Sequence, residues 1–440
     1  MLDRIRTAYG PGRGMDSPRG ASPLANRDFR LLFAGSSISF IGDQFTLVAL
    51  PWLVLQLTGN PAQLGLVLAL MALPRAVFML LGGAVVDRMS PRRVLLAARG
   101  ANALLTGVLA ALVLAGAIQM WMVYGLALSI GLCTAFAYPA GGALLPQLLP
   151  PEQLQASNSI MMGMRQISML IGPALAGLLV SSGSAPGAAG AAANAHGTGL
   201  AFVVDAVSFL FSVASLLAIR IASDRDSRAA AGGVWGQVAE GIRVLWQDPQ
   251  LRSFIAYMAL VSVLVGGPLQ VGLPLFAKSR LSEGAAAFGW LMTANAIGML
   301  LGSVFSTPVT RLMRGRVGVM VLCCDCVAGL ALGALSAVHS MLAGAALLIL
   351  AGLLAGTVQI AIMTWLQRRV PQAMMGRTMS IVMFTFLGLG PLAAAAAGGL
   401  LKLIPLSELF LGAGLTLSTV ALLCLSRPSL RAIQLKTAAA

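Results

Sequence analysis

The chain has 440 residues, of which 58% are hydrophobic and only 10% charged, with a mean hydropathy of +0.88. A soluble domain carries about a quarter charged residues, so this composition excludes a water-soluble globular fold and makes the bilayer the solvent. The net charge of +15 does not point to nucleic acid, because the basic residues come in short clusters between apolar segments, the pattern that membrane topology produces.

Residues 1–29 are rich in Gly, Pro, Ser and Arg and lack the apolar core of a cleavable signal peptide, so a disordered cytoplasmic tail is expected there. Apolar segments follow near 30–56, 63–86, 94–115, 119–145, 155–181 and 199–219, and then near 253–276, 286–308, 317–338, 341–365, 378–401 and 407–426. Each reaches the ~20 residues that span a ~30 Å hydrocarbon layer. They predict an all-α membrane protein of twelve transmembrane helices, with an N-terminal six-helix bundle over 30–220 and a C-terminal one over 252–426. The connecting stretch 221–251 places Trp235, Val238, Ile242, Leu245 and Trp246 at helical spacing among polar residues, which predicts an amphipathic helix at the cytoplasmic interface. Residues 427–440 are expected to be a cytoplasmic tail, and the Ala/Gly-rich segment from Ser181 to Gly197 a flexible outer loop.

Arginine placement gives the orientation. Connections after even-numbered helices carry Arg88, Arg92 and Arg93, then Arg220, Arg225, Arg228 and Arg243, then Arg311, Arg314 and Arg316, although the one after the fourth helix has no basic residue. Arg368 and Arg369 follow the tenth helix, whereas the opposite side holds only Lys278, Arg280 and Lys402. Positive residues are retained inside, so both termini are expected in the cytoplasm. All five cysteines lie in apolar stretches, where a thiol packs as a small hydrophobe. The run Cys323-Cys324-Asp325-Cys326 spreads around a helix with no nearby histidine, so neither a disulfide nor a metal site is expected.

Two pieces of the first half recur in the second. Arg30 before a run ending Leu50-Pro51 matches Arg252 before a run ending Leu273-Pro274, and Gln147, Pro151 and Gly172-Pro173 match Gln367, Pro371 and Gly390-Pro391. An even number of spans separates the copies, so the repeat is parallel about an axis along the membrane normal.

A charge inside a spanning helix costs at least ~2.5 kcal/mol and needs a partner or a task. Asp43 and Arg75 fall near the middle of the first and second helices. Two readings stand: a proton-carrying Asp43 modulated by Arg75, or a structural ion pair. Arg165 in the fifth helix is a further cavity candidate, suited to an anionic group on a substrate. Arg99, close to Arg93, is expected to snorkel to the cytoplasmic surface. Asp205 and Asp325 are expected to serve packing or helix ends. Trp52, Phe136, Tyr138, Met161, Met164 and Trp365 are candidates for an apolar pocket, although each singly reads as packing.

Between the second and third helices, Gly83-Ala-Val-Val-Asp87-Arg88-Met-Ser-Pro-Arg92-Arg93 resembles the cytoplasmic signature of the major facilitator superfamily. The resemblance implies a gate in which Gly83 allows close helix approach and Asp87, with Arg88, Arg92 and Arg93, latches one conformation. The bland reading, a positive-inside loop, explains only the arginines. In the fifth helix, Gly163 and Gly172-Pro173-Ala-Leu-Ala-Gly177 are similar to the glycine-proline motif of that superfamily's antiporters. The stretches Asn26-Arg-Asp-Phe-Arg-Leu-Leu32 and Phe202-Val-Val-Asp205-Ala-Val-Ser-Phe209, together with Gln367-Arg-Arg-Val-Pro371, resemble the subgroup of bacterial macrolide-efflux and enterobactin exporters. The fourth helix, Gly131-Leu-Cys-Thr-Ala-Phe-Ala-Tyr-Pro139, lacks the arginine of many proton-coupled members, so their coupling arrangement does not carry over.

The resemblance implies a secondary active exporter of amphipathic small molecules, of drug, macrolide or siderophore class, using proton antiport and alternating access. It further implies a cofactor-free monomer in a bacterial inner membrane. Import, facilitated passage and lipid translocation share the fold and stay open. A GxxxxGK[ST] loop is missing from the sequence, which argues against ATP as the direct driver. A non-transporting sensor calls for a sizeable soluble domain, and a membrane enzyme for a clustered catalytic set, whereas His196 and His339 both fall at the outer face.

Overall fold

The structure, a computed structural model, describes residues 22–88, 90–183, 191–220, 248–369, 388–426, 431, 433 and 434, without the side chains of 76, 79–88 and 191–195. The expected N-terminal tail up to residue 21, the amphipathic helix of the central connection and most of the C-terminal tail lie outside the described residues.

The described residues form α1 (Arg27–Thr58), α2 (Pro61–Arg88), α3 (Pro91–Leu114), α4 (Met120–Leu148), α5 (Pro151–Ser182) and α6 (Ala191–Ala218). They continue with α7 (Pro249–Arg280), α8 (Ala285–Leu312), α9 (Val317–Ala334), α10 (Met341–Arg369), α11 (Gly388–Leu400) and α12 (Leu406–Leu425). Ten of these are long and apolar enough to cross a membrane, and α11 and the apolar part of α2 are shorter. The chain is an all-α, multi-pass membrane protein.

The helices overrun the apolar segments because their caps sit in the flanking polar residues. Asn26 accepts the backbone N–H groups of Asp28 and Phe29 at 2.9 and 3.1 Å, and Asp248 accepts those of Gln250 and Leu251 at 3.0 and 3.3 Å, each closing the first turn. These two caps stand in the register that pairs Arg30 with Arg252, so the internal repeat is visible in the backbone. That register sets Asp43 against Val265, inside a π-helical turn at Ser262–Gly266 of α7. Such turns are widened local insertions in a helix, and here one breaks α7 where α1 runs on. The expected flexible outer loop is shorter than predicted, since α6 already begins at Ala191, in an alanine run of high helix propensity.

In the first half α1 packs on α6, α2 on α4, and α3 on both α4 and α6; in the second, α8 packs on α10 and α9 on α12. The halves meet through α5 against α8 and α2 against α7, and α2 also touches α11, with Gly65 against Ala394 and Gly398 against Pro61. At the α5–α8 crossing a Cβ on Gly289 would collide with the Pro173 carbonyl, and one on Gly177 would lie 2.7 Å from the Ala285 carbonyl. Only glycine permits this backbone-on-backbone contact.

The core divides in a way that bears on function. One buried cluster spans both halves at the end opposite the termini, with Trp52, Leu55, Ala176 and Val180 from the first half and Phe276, Phe288 and Phe410 from the second. At the terminal end the cores are separate: Phe29, Leu148 and Leu216 in the first half, and Phe254, Trp365 and Ile433 in the second. Among the described residues, the halves therefore share one core at the far end and have separate cores at the terminal end.

Candidate functional site

The site candidate is the space between the halves, bounded on the first half by α1, α2, α4 and α5. Asp43 lies midway along α1, yet its side chain is exposed and forms no hydrogen bond or ion pair among the described residues. On the same stretch of α1, Phe40 lies under Arg165 and Gln44 meets Gly172, both of α5, the helix that packs on the second half, so this part of α1 borders the inter-half space. The cations whose fields reach it are Arg99, Arg165 and Arg75, from α3, α5 and α2. Arg75 is half-buried beside Pro74, and it acts on Asp43 through space, so the direct Asp43–Arg75 contact considered from the sequence is not formed.

Arg165 is exposed and donates from Nη1 to the Tyr138 hydroxyl at 2.5 Å. Its guanidinium stacks 5.3 Å from the Tyr138 ring and 6.0 Å from Phe40, contacts that hold a planar cation over aromatic faces. Tyr138 is 53% exposed. Of the other pocket candidates, Trp52 is buried in the shared far-end core, Trp365 stacks edge-on to Phe254 with centroids 5.1 Å apart, and Phe136 and Met161 pack against the first half's own core. These are packing residues, leaving Tyr138 as the aromatic of that group on the site.

Arg99 overturns its sequence reading. Instead of snorkelling it is 9% exposed, donates from Nη1 to the Ser39 hydroxyl and lies 5.5 Å over the Phe209 ring. Asp205 is 2% exposed and accepts from the hydroxyls of Thr46 at 2.5 Å and Ser208 at 3.4 Å. Asp325, 7% exposed, accepts from the Tyr257 hydroxyl at 2.8 Å. Both carboxylates are held inside the bundle and not at helix ends. The sequence reading missed the seam they mark. Gly35, Ser39, Gly42 and Thr46 form one stripe of α1, Asp205, Ser208, Ser212 and Ser215 one stripe of α6, and Arg99, Asn102 and Thr106 one stripe of α3. Small and hydroxyl residues at i, i+3/i+4 and i+7 were the available signal.

Arg92 caps α6, its Nε and Nη2 donating to the carbonyls of Leu216 and Leu217 at 3.0 Å each. The side chains of Gly83, Asp87 and Arg88 lie outside the described residues, and Arg93 is exposed at the same end. In α5, Pro173 and Gly177 lie on the inter-half seam, Gly172 faces the Gln44 side chain, and a Cβ on Gly163 would meet nothing within 4 Å among the described residues.

Residues 32–395 match the family model of the Major Facilitator Superfamily. The chain belongs to that superfamily. Among its relatives is the multidrug efflux pump Tap of Mycolicibacterium fortuitum, 27% identical over 426 residues covering 94% of this chain and 97% of the relative. Macrolide efflux protein A of Streptococcus pyogenes is 30% identical over 153 residues, 35% of this chain and 38% of the relative. Among solved structures, the nucleoside transporter NupG superposes with a TM-score of 0.67 at 13% identity, covering 91% of this chain and 99% of that one. A bacterial homologue of the iron transporter ferroportin in its inward-facing state gives 0.66 at 20% identity over 91% and 99%. These likenesses establish the facilitator fold for the whole described bundle.

Proposed function

We propose that this transporter exports amphipathic small molecules by proton antiport, with Asp43 carrying the proton and Arg165, Tyr138 and Arg75 lining the substrate space. The observation that carries this reading is the isolation of Asp43. Of the carboxylates at mid-bundle depth, Asp205 and Asp325 are buried on hydroxyl partners, whereas Asp43 alone among the described residues opens on the inter-half space. A carboxylate placed there binds either a proton or a polar group of the substrate, and competition between the two is what exchange requires. The full-length similarity to the Tap efflux pump supports export as the direction.

The divided core of the described residues supports alternating access. The far-end cluster and the Gly177–Gly289 crossing close one side in this reading, and the separate terminal-end cores of the described residues support parting of the halves at that end. Positive residues concentrated at the terminal end support a cytoplasmic position for it, and in this reading the state is inward-facing in a bacterial inner membrane. Rocking the halves about the site would part the far-end seam and bring the terminal-end faces together. Asp87, Arg88, Arg92 and Arg93, with Gly83, form the cytoplasmic gate in this reading, and Gly163, Gly172, Pro173 and Gly177 the flexible packing face of α5.

The test is accumulation of a panel of dyes, macrolides and siderophores in everted membrane vesicles. Uptake that rises with inward acidification and collapses on adding a protonophore is expected for at least one compound. Uptake indifferent to the protonophore identifies a facilitator instead.

A further inference from the structure

Arg99 has five N–H donors, yet in the structure it donates to Ser39 and its Nε has no partner among the described residues. A buried guanidinium in a membrane bundle needs counter-charge, and it forms no ion pair among the described residues. Its contacts place it within one helical turn of two carboxylates: Ser39 stands one turn before Asp43 on α1, and Phe209, whose ring lies 5.5 Å from the guanidinium, one turn after Asp205 on α6. Behind α1, Asp205 is held by Thr46 and pressed by the backbone at Gly42, where a Cβ would come 2.8 Å from its Oδ1. In front, Asp43 follows Gly42 and opens on the inter-half space, facing Arg75 of α2 and Arg165 of α5, the latter on Tyr138 of α4. Ser39, one turn earlier on the same helix, holds Arg99. Arg75 and Arg165 act on Asp43, but Arg99 is the one cation among the described residues whose field reaches both carboxylates.

We propose that Arg99 is the shared counter-ion of Asp43 and Asp205, transmitting the charge state of the cavity-facing carboxylate to the seam that packs α6 on α1. With Asp43 ionised, the two carboxylates compete for one guanidinium. When Asp43 takes a proton, Arg99 is left to Asp205 alone, and the α1–α3–α6 seam tightens. Proton capture in the cavity is thereby converted into a change of packing in the body of the first half. Arg99 is a positioning residue in this scheme. The inference rests on the reading of Asp43 as the proton site.

The experiment is a pH titration of purified protein labelled with 13C-aspartate, in phosphatidylethanolamine and phosphatidylglycerol vesicles, followed by the infrared carboxyl stretch with no other ligand. The Asp43 band is the one lost in Asp43→Asn. Arg99→Gln is expected to raise the midpoint of that band and Asp205→Asn to lower it, each by about half a pH unit or more, as for the loss of a neighbouring charge. Arg99→Lys, which keeps the charge, stays near wild type, and with Asp205→Asn it decides the matter if Arg99→Gln does not fold. Shifts of the same sign in Arg99→Gln and Asp205→Asn, or no shift in Asp205→Asn, overturn the shared counter-ion. A wild-type protein with no titrating Asp43 band overturns instead the reading of Asp43, and the inference falls with it.

Discussion

Thr46 donates its hydroxyl to Oδ2 of Asp205 across 2.5 Å, joining α1 to α6 at a site where Asp205 is 2% exposed. Removing that donor leaves a buried carboxylate oxygen short of a partner, which costs about 1–3 kcal/mol. Thr46→Val, a close match in shape, should lower the melting temperature of the detergent-purified protein, and Thr46→Ser should restore much of it. Equal melting of Thr46→Val and wild type would show that the contact contributes nothing.

Arg92 separates two roles of the loop signature. Its fork on the Leu216 and Leu217 carbonyls complements the C-terminal end of α6, where a cation is worth about 1 kcal/mol. Arg92→Ala should lower thermal stability by about that amount. If stability holds and only the conformational balance changes, as reported by spin-label distances across the terminal end, Arg92 serves the gate and not the cap.

Gly289 offers a test of the far-end seal. Its backbone meets Pro173 and Gly177 with no room for a Cβ. Overpacking of this kind costs about 1–3 kcal/mol, enough to move a two-state equilibrium roughly fivefold to a hundredfold. Gly289→Ala should lengthen distances between spin labels at the far ends of α5 and α8 and reduce transport, with expression retained. Unchanged distances would place the seal elsewhere.

Much of this architecture was legible beforehand, because helix count and repeat depend on long apolar runs and on punctuation by Pro and Arg that survives any packing detail. The Asn26 and Asp248 caps fall in the register already suggested by Arg30 and Arg252. The site was legible in its members but not in its contacts. Asp43, Arg75 and Arg165 stand out as charges within apolar sequence, whereas which way Arg99 turns depends on whether Ser39 of another helix meets it. Closeness to Arg93 suggested the surface, and Ser39 with Phe209 drew the side chain inward. The α1–α6 seam was invisible for a related reason: a stripe of Gly and Ser resembles ordinary membrane packing until a carboxylate is found across from it.

The central claim is that Asp43 exchanges protons for substrate. Purified protein reconstituted in vesicles, with a dye identified from the everted-membrane panel and an imposed pH gradient, tests it most directly when wild type is compared with Asp43→Asn. The account predicts that wild type accumulates the dye against its gradient, while Asp43→Asn still equilibrates it downhill but no longer accumulates it. Accumulation by Asp43→Asn equal to that of wild type would contradict the account.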